Sequence, residues 1–120
     1  MSTREEKERH ALVQGTLDLL ILRILLFWPR HGQGIARAIQ TNSEEVLLVD
    51  HGALYPALQR MEAQDWISAA WGTSSNNRRA RFYTLTAKGR KHLTREADRW
   101  RIISNAMGRI LDLKKLETAE

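Results

Sequence analysis

Residues 52–85, GALYPALQRMEAQDWISAAWGTSSNNRRARFYTL, carry the pattern that decides the fold. Apolar residues in the first part of this stretch recur at helical spacing and would form one buried face: Leu54, Leu58 and Met61. Because proline is tolerated only in the first turn or so of a helix, Pro56 fixes where this helix starts. The pattern predicts a helix that begins near Gly52 or Ala53 and runs to about Gln64.

The second part of the stretch reads as two strands joined by a turn. Residues 66–71 and 80–85 are short segments rich in aromatic and small apolar side chains, which is typical of β-strands. Residues 72–79 between them are polar and turn-forming and then basic, ending in Arg78 and Arg79. The sequence therefore predicts a β-hairpin with a long basic tip.

Two further helices and a short strand are expected upstream. The first helix should begin at Thr16, a good N-cap residue, and end at Pro29. Residues 31–34 should form a turn into a second helix, and residues 46–49 are a short β-like run. The order helix, helix, short strand, helix, basic hairpin is that of a winged helix-turn-helix domain. The predicted fold class is mainly α (α+β).

This order of elements suggests how the chain would contact DNA. The third helix is narrow enough to lie in a major groove, and the hairpin would then flank it and reach phosphates or a minor groove. The candidate DNA-binding residues are the outward face of that helix and the hairpin tip: Gly52, Ala53, Tyr55, Gln59, Arg60, Asn76, Asn77, Arg78, Arg79 and Arg81. Each has a plainer explanation, as a solvated turn, a half-buried packing residue or ordinary surface. A basic hairpin directly after a short amphipathic helix favours DNA binding over these.

A last, long helix should start after Thr86 and reach about Leu113, on the order of 40 Å. An apolar stripe runs along it: Leu93, Ala97, Trp100, Ile103, Met107, Ile110 and Leu111. This stripe is longer than a three-helix core of this size can cover, so its outer turns are expected to pack on a second copy of the chain.

Trp100 lies in the middle of the stripe and is a candidate effector-binding residue. A two-fold axis would bring Trp100 and its copy face to face, and two indoles separated by a slot would stack a flat aromatic molecule. A basic protein would favour an anionic one. The simpler alternative is that Trp100 only packs the dimer interface.

The charge of the chain is unevenly distributed. The net charge is +5, but the segment from Arg78 to Lys115 has 12 basic and 3 acidic residues, whereas the rest is net acidic. A one-sided basic region is typical of proteins that bind polyanions, although it is also what a solvated helix face looks like.

Several classes of protein are not expected. The chain has no cysteine, so disulfides and thiolate sites are excluded, and this fits a reducing, cytoplasmic location. None of the four histidines has metal-ligand spacing, and no nucleophile motif or phosphate-binding glycine loop is present. The N-terminus lacks the apolar run of a signal peptide, and the apolar residues 17–28 are too few to span a membrane. We expect no enzyme activity, no cofactor, no metal and no membrane association.

The same residues resemble the PadR family of winged helix-turn-helix transcriptional regulators. The resemblance covers roughly residues 12–100 and rests on four segments: 12–22, 31–36, 52–62 and 77–89. It implies a winged-helix dimer that usually represses transcription, dimerises through its C-terminal helix and sometimes binds an aromatic effector. Carried over by position, it implies that Tyr55 meets the DNA backbone, that Ala53 and Gln59 face the groove, and that residues 76–79 form the wing.

The chain departs from the family pattern at two places. Asp65 and Trp66 stand where the family usually has glycine followed by a small aliphatic residue, and aspartate tolerates the left-handed conformation less well than glycine. Ala53 replaces the usual serine, so a helix-start hydroxyl is lost and Gly52 is expected to cap the helix instead.

The sequence therefore predicts a sequence-specific regulator that represses transcription as a homodimer on a palindromic site in double-stranded DNA, with a small aromatic ligand as a candidate effector. The domain assignment is an N-terminal segment at 1–12, the winged domain at 13–86, a dimerisation helix at 87–113 and a tail at 114–120. The alternatives are a winged-helix module that binds protein without binding DNA and one that binds RNA.

Overall fold

The computed structural model describes residues 10–11 and 15–118, so most of the expected N-terminal segment lies outside the described residues. Helix α1 spans Thr16–Ile24. Its N-cap is Gly15, with φ 95°, and not Thr16 as predicted, because the chain enters the helix through a left-handed conformation that glycine adopts readily. The helix also ends before the predicted Pro29, and the chain turns at Leu25, whose N–H still donates to the carbonyl of Ile21.

The second helix starts earlier than the sequence predicted. Strand β2 (Arg30–His31) leads directly into α2 (Gly32–Asn42). The Gly34 N–H donates to Nδ1 of His31 at 3.0 Å, so the predicted turn is in fact the N-cap and first turn of the helix. Strand β3 (Leu47–Leu48) follows and pairs in parallel with β1 (His10–Ala11).

Helix α3 spans His51–Ala63 and buries the predicted face of Leu54, Leu58 and Met61. The predicted cap was wrong, because Oδ1 of Asp50, and not Gly52, accepts the hydrogen bond, from the Gly52 N–H at 3.0 Å. Pro56 is the sixth residue of α3, so the helix loses the one backbone hydrogen bond that an N–H at this position would donate to the carbonyl of Gly52.

Asp65 follows α3 in the left-handed conformation that glycine usually adopts at this position. Its φ is 62°, in the left-handed region. The Trp66 N–H donates to the carbonyl of Met61, and the Asp65 N–H donates to the carbonyl of Glu62, each at 3.0 Å. These two bonds are the Schellman motif that glycine usually completes, so the turn is kept although the glycine is absent.

Strands β4 (Ile67–Thr73) and β5 (Arg79–Leu85) form the predicted antiparallel hairpin, in register from Ile67 opposite Leu85 to Thr73 opposite Arg79. The pairing extends further than predicted, so the tip is shortened to residues 74–78. The sheet has the order β2-β5-β4. Burial raises the pKa of the Tyr83 phenol, and the nearby guanidinium of Arg81 opposes this shift.

The long helix α4 spans Ala87–Leu111 and is followed by α5 (Leu113–Thr118). Thr86 caps it as predicted, with the Gly89 N–H donating to the threonine hydroxyl at 3.0 Å. Gly89 also allows a close approach between α4 and the end of α3, because a Cβ atom there would lie 2.0 Å from the carbonyl oxygen of Trp66. The helix ends two residues before the predicted Leu113, where Asp112 adopts a left-handed conformation (φ 46°).

The core lies between α1, α2, α3 and the sheet, and the first turns of α4 close it. Its fully buried large side chains come from α1, α2, α3 and β4: Ile21, Leu22, Ile35, Leu54, Leu58, Met61 and Ile67. This arrangement confirms the winged helix-turn-helix fold with a long C-terminal helix. Among the described residues, no helix is long and apolar enough to cross a membrane.

Candidate nucleic-acid interface

Packing on the core determines which face of α3 is exposed. Leu54, Ala57, Leu58 and Met61 are buried. The candidate DNA-binding residues of the helix are all exposed: Gly52, Ala53, Tyr55, Gln59 and Arg60. The structure therefore leaves this side of the helix accessible to a partner, as the spacing predicted.

Tyr55 sits at the junction of α3 with the start of α2. Its side chain is 44% exposed, and its ring lies so close to Gly32 that a Cβ atom on that glycine would be 2.9 Å from the ring. Gly32 thus provides the space for the ring. The ring of His51, one turn earlier on α3, lies 6.4 Å from it.

Arg60 points to a different side of α3 from Tyr55, toward α1. Its guanidinium pairs with the carboxylate of Asp18 on α1 at 2.9 Å, and the arginine remains mostly exposed. A surface pair of this kind contributes little stability and can exchange its partner. Arg60 is therefore turned toward α1, whereas Gln59 is held by no such pair among the described residues.

The hairpin tip is held by a compact set of hydrogen bonds. The Ser74 N–H donates to the carbonyl of Arg78 at 2.8 Å, and the Asn77 N–H donates to the carbonyl of Ser74 at 2.9 Å. Asn77 has φ 60°, a conformation that asparagine tolerates better than most residues. Its position in the turn therefore has a structural reason that is independent of any contact with DNA.

The three arginines of the hairpin differ in their surroundings. Arg81 reaches back to α3 and pairs with Glu62 at 3.0 Å. Arg79 lies over the ring of Trp71, with its guanidinium carbon 4.5 Å from the ring centroid. Arg78 is exposed beside the turn. The three arginines were predicted from the sequence as one cluster. The partners Glu62, for Arg81, and Trp71, for Arg79, were not predicted.

A groove of about 300 Å³ joins the hairpin to α3 and the start of α2. It is lined by His31, Gly32, Gln33, Tyr55, Ser74, Asn76, Arg78, Arg79, Ala80 and Arg81. Three arginines and no carboxylate line it, and in the described part of the chain only Arg81 of these is paired, with Glu62 outside the lining. The lining therefore has a net positive charge, and an anion such as a backbone phosphate fits its chemistry. Five of the predicted DNA-binding residues meet in this groove, and Gln59, Arg60, Gly52, Ala53 and Asn77 lie outside its lining.

The stripe of α4 divides into a buried and an exposed part. Leu93 is 7% exposed and belongs to the core of its own chain, so it is not accessible to a second copy. The later large apolar residues of the stripe are exposed, from Ile103 at 42% to Ile110 at 85%. The structure therefore leaves a row of exposed apolar side chains on the second half of α4.

Trp100, 51% exposed, lies at the edge of a cavity of about 410 Å³ between α1 and α4. Trp66 and His92 also line it, and their rings are stacked with centroids 3.8 Å apart. The sequence did not predict this pair, because Trp66 follows α3 whereas His92 belongs to α4, and only the packing of α4 brings their rings together. Asp18, the partner of Arg60, lines the same cavity.

Comparisons with known proteins give a consistent result. A family model described as the transcriptional regulator PadR-like family matches residues 21–95. An uncharacterized protein from Lysinibacillus sphaericus is 28% identical over 92 residues, which are 77% of this chain and 84% of that protein.

Solved structures show the same relationship. The crystal structure of a PadR family transcription regulator from Clostridium difficile is 32% identical with a TM-score of 0.70, and the match covers 81% of this chain and 99% of that one. A transcriptional regulator from Clostridium thermocellum, at 22% identity and a TM-score of 0.74, shares the fold over 82% of this chain and 95% of its own. Because the family model spans more than half of the sequence, the chain belongs to the PadR-like family of transcriptional regulators and, as predicted, is not an enzyme.

Proposed function

We propose that the protein is a sequence-specific DNA-binding repressor that acts as a homodimer on a palindromic operator. The observation that carries this proposal is the positive groove between the hairpin and α3, where Tyr55 and three arginines converge beside the exposed face of the helix. Phosphate contacts made in this groove would fix the position of α3 on the duplex, and such contacts usually supply most of the affinity.

Base reading is assigned to the exposed face of α3. Gln59 is on that face, and a glutamine side chain can make two hydrogen bonds to an adenine edge in the major groove. Gly52 and Ala53 have no large side chain, so the start of the helix can approach the bases closely. Arg60 would have to leave Asp18 to join them, so we rank it below Gln59 as a base reader.

Homodimer formation is assigned to the exposed stripe of α4. The helix has 25 residues and is about 37 Å long, so its second half extends past the core. The exposed residues Trp100, Ile103, Met107 and Leu111 would be buried against the same residues of a second copy, as a two-fold interface requires. A symmetric dimer would present two α3 helices to half-sites about one helical turn apart or a multiple of it.

The proposal includes a planar aromatic effector that binds beside Trp100. The cavity beside Trp100 has an exposed indole and the stacked Trp66–His92 pair on its walls, which suits a planar aromatic molecule. The simpler alternative is that Trp100 only packs against the second copy. The two are separated by titrating planar aromatic acids against tryptophan fluorescence in the wild type and in Trp100→Ala. Quenching that the variant loses supports an effector site, whereas quenching that persists undiminished, or that never occurs, leaves Trp100 as a packing residue.

The experiment that tests DNA binding is recovery and sequencing of genomic fragments bound by the purified protein. Affinity for a recovered fragment is then compared with affinity for random duplex DNA over a range of salt concentrations. A sequence-specific regulator binds the recovered fragment more tightly than it binds random DNA, by about a thousandfold or more. A module that binds only protein enriches no sequence, and this result would refute the proposal. Repression and a cytoplasmic location are expected with DNA binding.

A further inference from the structure

Trp71 is an exposed tryptophan on the hairpin that the DNA-binding proposal does not use. It is 60% exposed, although it lies on the face of β4 that includes the buried Ile67. The alternation of the strand continues this face toward the hairpin tip, where Arg81 lies opposite Trp71 in the register of the two strands. Its neighbour on the surface is Arg79, whose guanidinium carbon is 4.5 Å from the ring centroid.

This contact leaves the hydrogen-bonding groups of Arg79 free. A guanidinium stacked on an aromatic ring uses its flat face, whereas its five N–H donors lie in its plane and point away from the ring. Arg81 differs, because one of its nitrogens already donates to Glu62 at 3.0 Å. Among the described residues, no carboxylate pairs with Arg79.

We propose that Trp71 is a positioning residue for DNA binding, which holds the Arg79 side chain in the direction in which its donors meet the phosphate backbone or the minor groove. This inference rests on the proposed DNA-binding function. An arginine on a hairpin tip normally loses side-chain entropy when it binds, and a platform that already restricts the side chain lowers that cost. Trp71 and Arg79 therefore act as one unit, and the loss of either should remove most of the effect of the other.

A double-mutant cycle tests whether Trp71 and Arg79 act as one unit in DNA binding. Binding of the full chain to a random-sequence 30-base-pair duplex, an arbitrary probe of about three helical turns, is measured by fluorescence anisotropy for wild type, Trp71→Ala, Arg79→Ala and the double variant. Without the ring, the Arg79 side chain must be ordered when DNA binds, and this cost should weaken binding about two- to tenfold per wing. In the Arg79→Ala background, Trp71→Ala should cause almost no further loss. Trp71→Phe should retain most of the affinity, because it keeps an aromatic face.

Trp28→Ala is the matched control. Trp28 is also an exposed tryptophan beside an arginine, with the guanidinium carbon of Arg30 at 5.7 Å from its ring centroid, but Arg30, unlike Arg79, does not line the groove of the hairpin. Trp28→Ala should leave DNA affinity unchanged. Thermal unfolding of each variant confirms that the fold is retained.

The outcomes separate the two proposals. Additive losses in the double variant, or a Trp71→Phe variant as weak as Trp71→Ala, would overturn the positioning role while DNA binding stands. A wild-type chain that binds no duplex DNA would overturn the proposed function and the role of Trp71 with it. Non-additive losses with rescue by phenylalanine support the inference.

Discussion

Gly89→Ala should destabilise the protein, although alanine is the better helix former. A Cβ atom at this position would lie 2.0 Å from the carbonyl oxygen of Trp66 and 2.8 Å from its carbon, and real Cβ contacts are essentially never below 3.0 Å. The start of α4 must therefore move by about 1 Å or more, against a buried and closely packed backbone.

The size of the stability loss in Gly89→Ala follows from the contacts around residue 89. The shift would strain two hydrogen bonds, from the Thr86 N–H to the carbonyl of Trp66 at 3.1 Å and from the Gly89 N–H to the Thr86 hydroxyl at 3.0 Å. Overpacking costs about 1–3 kcal/mol and loss of a cap about 1 kcal/mol, whereas the gain in helix propensity is about 1 kcal/mol. The free energy of unfolding should fall by about 1–3 kcal/mol.

Gly108→Ala is the control on the same helix. Within the part of the chain that the structure describes, nothing outside its own stretch of helix lies within 4 Å of a Cβ atom built there, so the propensity gain remains and this variant should be about 1 kcal/mol more stable than wild type. Both are measured by urea unfolding at one protein concentration, since stability of an oligomer depends on concentration. An unchanged or raised stability of Gly89→Ala would refute the packing argument.

The remaining predictions concern the end of α3, base reading and the dimer. Asp65→Gly should stabilise the protein by about 1 kcal/mol in the same unfolding assay, because it relieves a left-handed aspartate; a loss of stability would contradict this reading. Gln59→Ala should cost about 1–3 kcal/mol of binding on the preferred site and much less on random DNA, and equal losses would exclude it as a base reader. Met107→Asp with Leu111→Asp should give a folded monomer in sedimentation experiments, and an intact dimer would exclude this interface.

The order of elements could be predicted from the sequence because it depends on local spacing. The stripe of α3, the strands of the hairpin and the Thr86 cap are each visible within a few residues. The caps at Gly15 and Asp50 were missed, since several neighbouring residues could serve and only the backbone path decides among them.

The partners of the arginines could not be predicted from the sequence. Asp18 and Arg60 are 42 residues apart, and Glu62 and Arg81 are 19 apart. Such pairs depend on how α1, α3 and the hairpin pack together, and no local pattern reports that packing. The need for glycine at position 89 could not be predicted either, because it comes from the carbonyl group of Trp66, after α3, and not from α4 itself.

The most direct test of the central claim is the salt dependence of DNA binding when the hairpin arginines are removed. Each phosphate contact contributes about 0.9 to the slope of log affinity against log salt. Arg78→Ala with Arg79→Ala should therefore lower the slope by roughly two per wing and weaken binding about equally on all sequences. Arg95→Ala with Arg101→Ala removes the same charge from exposed positions of α4, outside the groove, and should leave the slope nearly unchanged. An unchanged slope in the hairpin variant would contradict the assignment of this groove to DNA.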